Sequence, residues 1–106
     1  MPKYLVQSSY NAEGAKGLLK EGGTARRSAA EKVLKSVGGK LESFYFAFGE
    51  TDAFLIVEMP DNVAAASISL AVAASGAVRI RTTPLLSCEE MDAAVKKHAD
   101  YRKPGQ

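Results

Sequence analysis

The chain has no tryptophan, one cysteine and one histidine among its 106 residues. Cys88 cannot close a disulfide by itself, and Cys88 with His98 makes no zinc-binding spacing, so neither a disulfide framework nor a metal centre is expected. An excess of one charge is missing too. Fourteen basic residues stand against twelve acidic ones, a formal charge of +2, too near balance for the field that draws nucleic acid, and no nucleic-acid partner is expected. Long hydrophobic runs are also scarce. The longest stretch free of strong charge, Asn62 to Val78, is diluted by serines, alanines and a glycine and is too weakly apolar for a membrane span. The opening Met-Pro-Lys-Tyr carries no apolar leader, so the sequence predicts a cytoplasmic protein without a membrane partner.

What is present is the composition of a globular protein, 46% hydrophobic and 25% charged, which argues against disorder. The length suits one domain over residues 1–106, and a chain of this size buries about two-thirds of the surface it exposes unfolded.

Residues 3–10 (KYLVQSSY) alternate with a period of two and predict a first strand. From Glu13 the apolar positions shift to spacings of three and four, through Leu18 and Leu19 to Val33, Leu34 and Val37, which predicts an amphipathic helix interrupted or kinked at Gly22-Gly23 and ended by Gly38-Gly39. Residues 41–48 (LESFYFAF) and 53–59 (AFLIVEM) flank the polar turn Gly49-Glu50-Thr51-Asp52 and predict a hairpin. Pro60-Asp61-Asn62 then stops the strand and caps an alanine-rich second helix that closes at Gly76. Residues 77–83 predict a fourth strand that Pro84 keeps from continuing as an interior strand. Ser87 caps a third helix to about Ala99, and residues 102–106 form a loose tail.

This order, βαββαβ, predicts an α+β domain of the ferredoxin-like type: a four-stranded antiparallel sheet with two helices on one face, plus a C-terminal helix. Alternation places Phe54 and Ile56 on one side of the sheet and Leu55, Val57 and Met59 on the other, and it divides Phe44, Phe46 and Phe48 from Leu41, Tyr45 and Ala47. Both faces are therefore apolar while the chain has helices for one. A second copy covering the bare face, helped by the third helix, is the expected partner.

Several residues are candidates for a site. If the first helix restarts with Thr24 as its cap, Arg26 and Arg27 occupy a first turn where the helix dipole disfavours cations, and an anion would relieve them. If instead the helix runs through the glycines, which is the simpler expectation, both arginines are merely solvated or paired with glutamates. Arg79 and Arg81 lie on the strand-four face opposite Val78 and Ile80. They serve either to draw an anionic ligand into a cavity near Tyr45, Gln7 and Ser9, or to form ion pairs between subunits with Glu58 or Asp52. Asp52 and Tyr45 are the candidate catalytic groups, Asp52 as a general base and Tyr45 through its phenol, although a turn aspartate more often bonds backbone amides. Tyr4 and Tyr10 also carry phenols, with Tyr4 expected in the core. Cys88 and His98 lack partner groups and are not assigned a role.

The run FYFAFGETDAF at residues 44–54, followed by Pro60-Asp61 and by GAVRIRT at residues 76–82, resembles the GYD domain family over about residues 2–86. That resemblance implies a ferredoxin-like fold related to the dimeric α/β-barrel proteins, a group containing cofactor-free oxygenases, isomerases and ligand-binding modules, with a dimer preferred. In the turn that names the family a tyrosine precedes the aspartate, and here that place is Thr51. The functional expectation is a homo-oligomer binding a small anionic or aromatic metabolite between sheet and helices, with Arg26, Arg27, Tyr45, Arg79 and Arg81 as ligand contacts and no cofactor. The alternatives are a cofactor-independent oxygenase or isomerase, and a regulatory or structural oligomer.

Overall fold

The computed structural model describes residues 1–106. In chain order its elements are β1 (Lys3–Tyr10), α1 (Ala12–Ser36), β2 (Lys40–Phe46), β3 (Ala53–Glu58), α2 (Asn62–Ser75), β4 (Val78–Leu85) and α3 (Cys88–Val95). The strands form one antiparallel sheet in the order β2-β3-β1-β4. Element order and sheet are those expected for a ferredoxin-like α+β fold.

The period-two pattern of β1 decides which face is covered. Tyr4, Val6 and Ser8 are buried, and so are Leu55 and Val57, their neighbours on β3. With Met59, and with Leu34 of α1 and Ile68 of α2, they make the core. Full burial of Val57 or Met59 contributes roughly 1.5–3 kcal/mol each. The Tyr4 hydroxyl is not left unpaired: it donates to Asn62 Oδ1 at 2.8 Å, at the start of α2. α1 lies over β2 and β1, and α2 over β4.

The helix ends follow the sequence closely. Asp61 caps α2 by accepting from the Ala64 amide at 2.9 Å, and Ser87 and Glu90 form a reciprocal capping box at the start of α3. Four expectations need correction. β4 continues through Pro84 to Leu85, because β4 is an edge strand and a proline there can leave its missing donor on the unpaired side. β2 ends at Phe46, before Phe48. α3 ends at Val95, short of Ala99, and His98 lies beyond it in a left-handed conformation (φ 51). Finally, a register shift between Leu41 and Ser43 inserts one residue into β2 and returns Leu41 to the helix-covered face beside Phe44, where simple alternation places it opposite. Tyr45 remains on the open face, paired with Phe54.

α3 stands apart from this body. Every residue of it is exposed, and Met91 and Val95, four positions apart on one side, are 51% and 67% exposed.

Candidate functional site

The first feature of the site is a break in α1. Gly22 has φ 82 and ψ 174, a conformation essentially closed to residues with a side chain. α1 is therefore two helical segments, not one continuous helix, and the break falls at Gly22 instead of behind a Thr24 cap. Immediately after it, a Cβ on Gly23 would lie 2.9 Å from the tip of the Phe46 ring, so a side chain there would make the partly exposed ring shift for the second segment to settle as closely on β2.

Restarting the helix there sends the two arginines in different directions. Arg27 is exposed at the outer edge of β2, near Glu31, Glu42 and Tyr45. Arg26 is half-buried and reaches under the helix, beside the Tyr10 side chain. Its nearest carboxylate is Glu21 at 3.8 Å, beyond hydrogen-bond length.

Arg26 and Tyr10 border a narrow space of about 70 Å³ between the helices and the sheet. Its walls are apolar: Val33 and Leu34 from α1, Ile68 and Val72 from α2, Val6 and Leu55 from the sheet. Two further polar side chains line it. Thr82 faces Ser69 across 3.4 Å. Ser8 is only 8% exposed, and its side chain lies along the same lining. Burial pushes the Tyr10 phenol above its ordinary pKa of 10.0, while the Arg26 guanidinium pulls the other way. The phenol is therefore neutral at physiological pH and can donate a hydrogen bond.

Asp52 ties the hairpin turn to Ser8 and Tyr10, two of the residues that line this space. Its amide donates to the Ser8 carbonyl at 2.8 Å, its carbonyl accepts from the Ala47 amide at 2.8 Å, and its carboxylate accepts from the Tyr10 amide at 2.8 Å. The side chain thus pins the hairpin turn to β1, as turn aspartates commonly do. It shares its surroundings with Leu18 and Phe46 on the helix side. Tyr45 stands on the opposite face, 72% exposed. Within one chain, Asp52 and Tyr45 are not brought together.

Arg79 and Arg81 are both exposed on the open face and form no ion pair within the chain. Glu58 is engaged by Lys40 at 3.5 Å, and Asp52 by the Tyr10 amide. The two arginines share a surface depression with Gln7, Ser9, Glu50 and Thr51. A tyrosine at position 51, as in the turn that names the family, would border these guanidinium groups. Tyr45 lies elsewhere: the lateral row runs Tyr45, Phe54, Gln7, Arg81, about 14 Å from one edge of the sheet to the other at about 4.8 Å per strand.

The five expected ligand contacts thus fall into three places: Arg26 under the helices, Arg27 and Tyr45 at the β2 edge, and Arg79 with Arg81 on the open face. Cys88 and His98 are exposed, and no three His, Cys, Asp or Glu side chains converge as metal ligands would. Ser8 is not among the sequence candidates; its one signal there is a hydroxyl at a core-facing position, between Val6 and Tyr10 in the period-two pattern of β1.

A model of the GYD domain family matches residues 4–95. The chain belongs to the GYD domain family. The match spans every strand, the broken α1, the Asp52 turn and α3, so the space beneath the helices and the arginine pair on the open face are both features of this GYD domain. No curated protein and no solved structure matches the chain. No helix is long and apolar enough to cross a membrane.

Proposed function

We propose that this GYD domain is a self-associating, small-molecule-binding module whose ligand lies between α1, α2 and the sheet. The observation that carries the reading is the combination of an apolar space with a half-buried guanidinium, a phenol and the hydroxyl of a buried serine along its lining. A few polar groups set into an apolar lining are the usual composition of a ligand site.

Self-association is supported by the open face. Leu5, Phe54, Ile56 and Leu85 supply an apolar surface that no helix of the same chain covers, and α3 offers its Met91 and Val95 side with nothing packed on it. A second copy placing its own sheet and α3 there, as a dimer, buries both. Arg79 and Arg81 then lie at the rim of the contact, available to a carboxylate of the partner.

An oxygenase or isomerase acting through Asp52 and Tyr45 is less well supported, because the two groups face opposite sides of the sheet. Thermal unfolding with a panel of carboxylates, phosphates and phenols tests the binding reading. A ligand at one hundred times its dissociation constant adds about 2.7 kcal/mol to stability. Failure of every compound to raise the midpoint would overturn it and leave a regulatory or structural oligomer.

A further inference from the structure

We propose that the space between the helices and the sheet takes a short-chain monocarboxylate bearing an oxo or hydroxy group, with its carboxylate at Arg26 and Tyr10 and its second oxygen on Ser8. This rests on the small-molecule reading above and names the class of ligand.

Size sets the first limit. The space is about 70 Å³, roughly half the 150 Å³ of a cavity that accepts benzene, whereas drug-sized ligands occupy about 300 Å³ or more. A body of three or four carbons fits, while a nucleotide or a polycyclic compound requires the helices to part.

Charge sets the second. Arg26 is the only cationic side chain lining the space, and its one carboxylate neighbour is too distant to satisfy it. A guanidinium beside a neutral phenol presents donors from two directions, which suits the two oxygens of one carboxylate. A dicarboxylate would find no second cation, because Arg79 and Arg81 are on the other face of the sheet.

The third limit comes from Ser8. It is two residues from Tyr10 on the same face of β1, and both side chains line the space. A ligand oxygen beyond the carboxylate would be in place to accept from the Ser8 hydroxyl. A purely hydrocarbon tail would offer no such acceptor.

Isothermal titration calorimetry of the full chain with butyrate, 2-oxobutyrate, 2-hydroxybutyrate and butyramide tests each limit. The acids should bind about tenfold or more tighter than the uncharged amide. Arg26→Gln should erase that preference and Arg79→Gln should preserve it. The oxo or hydroxy acid should exceed butyrate by about two- to tenfold, an advantage lost in Ser8→Ala, which removes one oxygen from a packed position. Butyramide binding as tightly as butyrate would overturn the carboxylate assignment and leave the pocket standing. An advantage that survives Ser8→Ala would overturn the role of Ser8. If benzoate binds and none of these four does, the size argument fails. If no compound binds at all, the small-molecule reading falls with it.

Discussion

Replacing Gly22 by alanine probes the break in α1 that directs Arg26 beneath the helix, and Gly17 supplies the control. Neither position has any atom within 4 Å of where a Cβ would stand, so contact energies cancel and only the backbone differs. Gly17 has ordinary helical geometry, where alanine stabilises by about 0.5–1 kcal/mol. Gly22 at φ 82 and ψ 174 forces a side chain into a conformation costing about 1–3 kcal/mol. The two variants should therefore move in opposite directions and part by about 1.5–4 kcal/mol. Urea unfolding at one fixed protein concentration reads the difference, because the proposed self-association would make stability depend on concentration. Gly17→Ala should raise the midpoint and Gly22→Ala should lower it. If Gly22→Ala raises the midpoint as Gly17→Ala does, α1 is continuous, and the placement of Arg26 derived from its break is wrong.

Three further perturbations address the other parts of the account. Phe54→Glu puts a charge in the middle of the open face and should convert an oligomer into the 11.3 kDa chain in analytical ultracentrifugation; a wild-type protein that is already a single subunit at high concentration would remove the self-association claim. Asp52→Ala removes the acceptor of the Tyr10 amide and should cost about 1.5–3 kcal/mol, with Asp52→Asn recovering most of it through its own side-chain oxygen; equal losses in both variants would show that the pin is not a hydrogen bond. Tyr10 gives a pH signature. Its folded pKa lies above 10.0, so its contribution is complete below pH 10 and declines as the pH climbs, when the unfolded phenol ionises more readily than the folded one. Tyr10→Phe should lessen the alkaline loss of stability, and an unchanged slope would contradict the burial of the phenol.

The topology was legible because alternation in β1 marks a strand and the three-four spacing in α1 marks a helix, and because Asp61, Gly76 and Ser87 mark helix ends by local chemistry. What escaped depends on neighbours that a single segment does not see. The bulge that returns Leu41 to the core is set by pairing between β2 and β3, and nothing in the run LESFYF signals it. Pro84 reads as a strand stop until β4 is known to be an edge. The site was partly legible. Arg26, Arg27, Arg79 and Arg81 were all identifiable as unusual cations, but which face each occupies depends on the helix break at Gly22 and on the strand order. The step from Ser8 to a site needed the tertiary fact that its hydroxyl lines a space instead of meeting another side chain.

The central claim is that a ligand is held beneath the helices of this domain, and methyl NMR locates it directly. With 2-oxobutyrate added to the ¹³C-methyl-labelled full chain, saturable shifts are expected at Val33, Ile68 and Val72, which line the space, while Leu5 and Ile56 on the open face stay unmoved. Shifts confined to Leu5 and Ile56, or no saturable shift at any methyl with this acid or with the wider carboxylate, phosphate and phenol panel, would contradict it.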